Sequence, residues 1–375
     1  MKSTFSKDRY ERQLMLKNFG EAGQQKLFES KVLMIGAGGL GCSALAYLAA
    51  AGIGTIGIVD HDTVSLSNLH RQILYRTEDI GAFKSERAAS FLKGINPEIS
   101  TLIYLEKLTT SNAFDIISDY DFVIDGTDNF ATKYLINDAC VLLNKALIFG
   151  AISEYEGQVT IFNYKKNKQD ESVNYRDVFP LPTSQSTALN CTTAGVLGVL
   201  PGIIGSMMAN ETIKLITGIG EALVNELFTY NALDNSSYQI SLKARKKEHS
   251  TMPKDRKSFT EMDYDFFCNT QPAKDEISLD KFNQLLLSNN FEIIDIREKD
   301  EIPLITEFVC KQIPLSTLIQ NESMIQAQTV VIICQSGKRS REAILVLQSI
   351  FKDSKKIISL EGGIMAYKKA FYKNG

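Results

Sequence analysis

The chain has 375 residues, enough at roughly 100 to 200 residues per domain for one large and one small domain, each with its own core. A formal charge of -3 and a pI near 5.8 exclude the basic surface that nucleic-acid binding needs. Six scattered cysteines (Cys42, Cys140, Cys191, Cys268, Cys310 and Cys334), a polar Met1 to Arg12 with no signal-peptide core, and a longest apolar run of only Ala194 to Met208 argue against a secreted or membrane protein. The expectations are a cytoplasmic location and, around Pro201, a buried helix.

From Lys31 to Phe162, short apolar runs alternate with amphipathic stretches. Val32 to Ile35, Ile56 to Asp60, Val123 to Asp125 and Ala146 to Phe149 read as strands, and Ser43 to Ala51 and Ser85 to Leu92 as helices. That order predicts βαβ units and a mostly parallel sheet covered on both faces. Lys243 to Lys257 holds seven Lys or Arg and almost no apolar side chain, so a basic linker is expected over 243–274. The pattern restarts after Ile277, with Phe291 to Ile296 and Val330 to Cys334 as strands of a second α/β domain. The expected division is 1–242, linker, and 275–375.

Chemistry enters at the end of the first strand, where Gly36-Ala-Gly38-Gly39-Leu-Gly41 precedes a helix expected near Cys42. Amides at a helix N-terminus meet phosphates, and Asp60, closing the next strand, can hold a ribose hydroxyl. A glycine fingerprint alone suits an NAD-dependent oxidoreductase equally well. Asn68, Arg71 and Lys84 follow, and a cluster of that kind is what a triphosphate requires and hydride transfer does not.

The motifs Arg9-Tyr-Glu-Arg12-Gln13, the glycine loop, Ser67-Asn68-Leu-His-Arg71-Gln72, Lys84, Asp125-Gly-Thr-Asp128-Asn129 and Cys191-Thr-Thr-Ala-Gly-Val together resemble the adenylating enzymes of ubiquitin-like proteins, in the MoeB, ThiF and HesA branch. The likeness covers Arg9 to about Tyr238. It implies a Rossmann-like adenylation domain, ATP and Mg2+, and attack of a carrier protein's C-terminal glycine on the α-phosphate. It assigns Gly39, Asp60, Asn68, Arg71, Lys84, Asp128 and Asn129 to ATP, Asp128 to magnesium, Arg12 to the partner subunit's site in a homodimer, and Cys191 to a covalent bond with the carrier. Lys133 stands where the family often has arginine. Relatives carry two Cys-x-x-Cys pairs for zinc; here Asn174 and Asp177 occupy the first, and the interval Arg245 to Thr260 has no cysteine, only His249, so no zinc is expected. The other cysteines read as small buried hydrophobes.

Ile277 to Tyr372 resembles a rhodanese domain through Ile293-Ile-Asp295-Ile-Arg297, Ile313-Pro-Leu315, Cys334-Gln-Ser-Gly337-Lys-Arg339-Ser340 and Leu360-Glu-Gly-Gly-Ile364. Successive amides after a strand form a nest that stabilises a thiolate or persulfide. Four residues between Cys334 and Arg339 favour sulfur over phosphate chemistry, since a phosphatase loop has one more. The family's His-x-Pro-Gly-Ala segment is replaced by Glu307-Phe-Val-Cys-Lys-Gln312. The resemblance implies sulfur relay to a small ubiquitin-like sulfur carrier ending in Gly-Gly, that of molybdopterin synthase first and the thiamine pathway's as the alternative, with a cysteine desulfurase as persulfide donor. A tRNA-modifying dehydratase of the same superfamily is disfavoured by the sulfur domain, by Cys191 and by the acidic pI.

Overall fold

The computed structural model describes residues 5–165, 171–180, 182, 195–245, 251–269, 276–288, 290–298, 300–351 and 354–371. The chain divides into two compact units, the first reaching Cys268 and the second starting at Asn269.

Among the described residues the first unit holds eight strands: β1 (Lys31–Ile35), β2 (Thr55–Val59), β3 (Ser100–Tyr104), β4 (Phe122–Asp125), β5 (Ala146–Ser153), β6 (Glu156–Phe162), β7 (Glu226–Asn231) and β8 (Ser237–Ser241). They form one sheet in the order β3-β2-β1-β4-β5-β6-β7-β8, parallel through β5 and antiparallel beyond it. Val32 and Met34 face one core with Leu45, Leu48, Ile204 and Met208, while Leu33 and Ile35 face another with Ile117, Tyr134 and Leu135. A strand covered on both sides reads as an unbroken apolar run, which is why β1 was legible. The chain winds outward through β2 and β3 and then returns to place β4 beside β1. That reversal opens a crevice at the carboxyl ends of β1 and β4, where ligands of doubly wound sheets bind.

The apolar run around Pro201 is a buried helix, Leu200–Thr217, and Pro201 lies in its first turn, where a missing N–H costs nothing. The linker extends less far than its composition implied. Within 243–274, the helices Arg256–Thr260 and Tyr264–Asn269 pack Phe259, Tyr264, Phe267 and Cys268 into the core around Phe114 and Tyr134. A few inward aromatic side chains on short helices decide the placement, and an average over charged neighbours hides them.

The second unit has β9 (Glu276–Ile277), β10 (Glu292–Asp295), β11 (Lys311–Gln312), β12 (Thr329–Ile333) and β13 (Lys356–Leu360), all parallel in the order β11-β10-β12-β13-β9. Val330 and Ile332 meet Ala343, Ile344 and Leu347 on one face; Val331 and Ile333 meet Phe282, Ile364 and Tyr367 on the other. Among the described residues no helix is long and apolar enough to cross a membrane.

Candidate active site

The glycine loop leaves β1 with the Gly36 N–H donating to the Val59 carbonyl at 2.9 Å. The helix then starts at Gly39, three residues earlier than the sequence suggested, and runs to Ala51. A Cβ on Gly41 would come within 2.1 Å of the Gly36 carbonyl oxygen, so only glycine lets the helix approach the strand this closely. Tyr75 donates its hydroxyl to the Ala37 carbonyl at 2.7 Å, and the Cys42 thiol lies 3.5 Å from the same oxygen, which fixes the loop from behind.

Asp60 is buried at the end of β2. Its carboxylate accepts from the amides of Ala37 (2.7 Å) and Asp62 (2.9 Å). Burial raises its pKa, while those amides and the Lys84 charge act in the opposite direction. Lys84 begins the helix Lys84–Ile95, is buried, and donates its Nζ to Asp62 Oδ2 at 2.9 Å. Asn68 ends a 3-10 turn, Leu66–Asn68, and accepts from the Ser65 amide at 3.2 Å through Oδ1, which leaves its NH2 for a ligand. Arg71, half-buried, is steadied by Nη1 contacts to the Ser67 carbonyl (3.0 Å) and His70 Nε2 (2.8 Å). Gln72, which the sequence offered only as part of a motif, is 3% exposed and directs its amide toward Gly38; its buried Oε1 has no partner among the described residues. A buried amide oxygen left bare costs about 1–3 kcal/mol, so it marks a place prepared for a donor.

At the end of β4 the Gly126 backbone packs against Gly36, joining the two loops. Asp125 accepts from the Thr127 amide (2.9 Å) and hydroxyl (2.6 Å) and from Lys133 Nζ (3.0 Å). Lys133 is fully employed indoors, since it also donates to the Gly150 carbonyl at 3.1 Å and lies over the Phe149 ring. Asp128 is exposed and has no hydrogen bond or ion pair among the described residues. Asn129 caps the helix Phe130–Leu142, accepting from the Thr132 amide at 2.9 Å. Asp60, His61 and Asp62 also bring potential metal ligands within 4.8 Å of one another, but Asp60 is held by amides and Asp62 by Lys84. The unengaged Asp128 fits a divalent cation better. Arg12 is exposed on the helix Lys7–Leu14, its Nη1 4.0 Å from Met15 Sδ. Cys191 and His249 lie outside the described residues.

The positions where relatives carry the first cysteine pair are engaged in hydrogen bonds. Asn174 caps a short helix, Tyr175–Val178, and both its backbone and side-chain nitrogens donate to Asp177 Oδ2 at 2.8 Å. Asp177 Oδ1 accepts from the Arg245 amide at 2.8 Å. Between them Arg176, fully buried, forks onto Asp138 at 2.8 and 2.7 Å and reaches Thr251 Oγ1 at 3.0 Å, while Tyr264 donates to the same carboxylate at 2.8 Å.

In the second unit Cys334 directly follows β12 and is 1% exposed. Its Sγ lies 3.4 Å from both the amide and the hydroxyl of Ser340, in the first turn of the helix Lys338–Phe351, and the Ser340 hydroxyl contacts Ser359 at 2.7 Å. Gly337 takes φ +84°, a left-handed value that favours glycine. Arg339 forks onto Glu301 at 2.6 and 2.5 Å. The altered segment, which ends in β11, is tied down by a Glu307–Lys368 ion pair and by Phe308 against Phe282 and Tyr367. Burial pushes the buried Cys42 and Cys268 thiols up to about 12 and raises the buried Cys140 as well, and it raises the half-buried Cys310 too.

A ThiF family model matches residues 10–252 and a rhodanese-like domain model residues 278–370. The chain is 40% identical over 374 residues to the probable adenylyltransferase/sulfurtransferase MoeZ of Mycobacterium tuberculosis, covering 96% of this chain and 92% of that one. It is 36% identical to adenylyltransferase and sulfurtransferase MOCS3 of Arabidopsis thaliana (96% and 82% covered), and 43% identical to a sulfur carrier protein adenylyltransferase of Thermus thermophilus (70% and 96%). Among solved structures, Escherichia coli MccB with AMPCPP and MccA shares the fold at a TM-score of 0.55 and 20% identity, covering 64% of this chain and 72% of that one. The chain belongs to the ThiF family and carries a rhodanese-like domain at its C-terminal end.

Proposed function

We propose that this protein uses Mg-ATP to adenylate the C-terminal glycine of a small ubiquitin-like sulfur carrier and relays persulfide sulfur to it through Cys334. One observation carries the reading: the crevice at β1 and β4 combines a glycine loop with Arg71, the buried Lys84 and the unengaged Asp128. A nicotinamide enzyme has no use for that set, whereas displacement at phosphorus needs alignment and charge neutralisation. In the proposed step a carrier carboxylate oxygen attacks the α-phosphorus, and the bond to the β-phosphate breaks with departure of pyrophosphate. Asp60 holds the ribose, Gly39 and Asn68 line the phosphates, Arg71 and Lys84 neutralise them, and Asp128 ligates the magnesium ion. The Asn129 side-chain NH2, left free by its capping oxygen, is assigned to ATP.

Arg12, exposed and lightly held, is assigned to the neighbouring subunit of a homodimer, and Cys191 to a covalent carrier intermediate. No structural zinc is proposed, because Asn174 and Asp177 are engaged with each other and with Arg245. Likeness to the MoeB branch favours the molybdopterin-synthase carrier, with the thiamine-pathway carrier second, a cysteine desulfurase as sulfur source and the cytoplasm as the location. ATP–pyrophosphate exchange tests the reading: it should appear only with a carrier ending in Gly-Gly, and exchange driven by free amino acids would sink it.

A further inference from the structure

The Arg339 guanidinium, at the end of the sulfur loop, is already occupied. Both terminal nitrogens of Arg339 donate to the two oxygens of Glu301, a fork-on-fork pair that takes up the end-on face of the guanidinium and offsets its charge. The segment bearing Glu301 is fastened at two further points, one on the same loop and one on Arg297, just after β10. Gln335 Nε2 donates to the Ile302 carbonyl at 2.8 Å, and Arg297, itself paired with Asp295, donates to the Pro303 carbonyl at 2.8 Å. Glu301 is therefore held in place. The Arg339 guanidinium holds the Glu301 carboxyl down at about 2, so the pair is intact throughout the neutral range and opens only as the pH falls toward that value.

The two plausible classes of sulfur donor differ in charge. Thiosulfate is a dianion whose sulfonate needs a cationic fork. A cysteine persulfide presents a single charge on its terminal sulfur, which loop amides such as that of Ser340 can receive. We propose that Glu301 is a specificity-determining residue of the rhodanese-like domain: by occupying Arg339 it selects cysteine persulfides over sulfonate-bearing donors. In the favoured reaction the Cys334 thiolate attacks the terminal sulfur of R–S–S⁻, the S–S bond breaks, R–S⁻ leaves with the electron pair, and Cys334 holds the new persulfide. With thiosulfate the same attack expels sulfite. The inference rests on the proposed role of Cys334 as sulfur acceptor.

The test uses the full chain and two donors, thiosulfate with cyanide as acceptor, and a cysteine desulfurase charged with cysteine. Glu301→Gln frees the guanidinium and should lower the KM for thiosulfate by about tenfold or more, the scale of a charge-assisted pair. Persulfide loading of Cys334 from the desulfurase should stay within about twofold of the parent, which also shows that the variant domain is folded. Glu301→Asp keeps the charge and should keep the parent's poor use of thiosulfate, and adding Arg339→Met to Glu301→Gln should abolish the gain. An unchanged KM in Glu301→Gln, an equal gain in Glu301→Asp, or a gain that survives loss of Arg339 overturns the assignment. If the parent protein accepts no sulfur on Cys334 from either donor, the relay itself falls and the selection with it; if it accepts persulfide normally while Glu301→Gln gains nothing, only the role of Glu301 falls.

Discussion

Asp128 and Asn129 are neighbours in one motif with opposite employment. The Asn129 side chain is half spent on capping a helix, while the Asp128 carboxylate is bound to nothing among the described residues. The family resemblance assigned both to ATP and Asp128 to magnesium besides, yet it does not say which atoms remain free, because a motif records only which residue types occur. Asp128→Ala should therefore abolish pyrophosphate exchange while changing folding stability by no more than about 0.5 kcal/mol, the usual cost at an exposed site; a variant that keeps exchange would reduce Asp128 to a loop residue. Gln72 makes a sharper case. Its bare buried oxygen is a burden on the free protein that a nucleotide donor can lift, so Gln72→Met should stabilise the free protein by up to about 1–2 kcal/mol while raising the KM for ATP. Thermal unfolding and exchange kinetics on the same preparation measure both, and destabilisation with an unchanged KM would place Gln72 in the scaffold.

At the scale of elements, the strands facing a core on both sides were legible because they read as unbroken apolar runs, and the glycine loop was legible because its spacing reflects a backbone contact. The helices at 256–260 and 264–269 were not. Their attachment depends on Phe259 and Tyr264 and on Asp138, a buried carboxylate more than a hundred residues earlier in the chain. Arg176 is the centre of that attachment: it forks onto Asp138, reaches Thr251, and lies 4.9 Å from the ring centroids of both Tyr134 and Phe267. Because Arg176→Met leaves the Asp138 carboxylate buried with only Tyr264 and Asn137 as donors, it should cost about 3–5 kcal/mol and loosen the 251–268 segment first. Urea unfolding and hydrogen exchange at Phe259 and Phe267 measure this. A loss below about 1 kcal/mol would show that the aromatic packing suffices without the ion pair.

For the whole molecule, two loops of different chemistry were readable because each follows a buried strand directly, Gly36 after β1 and Cys334 after β12. What surrounds each loop was not readable, since Lys84–Asp62 and Arg339–Glu301 join residues more than twenty and more than thirty positions apart. The division of labour is tested most directly by the intact mass of a Gly-Gly carrier incubated with the full chain, Mg-ATP, a cysteine desulfurase and cysteine. The parent protein should convert the carrier to its thiocarboxylate, and Cys334→Ala should stop at the adenylate, since the crevice at β1 and β4 is untouched. A carrier that is never adenylated, or one that Cys334→Ala thiocarboxylates as fast as the parent, would contradict the account.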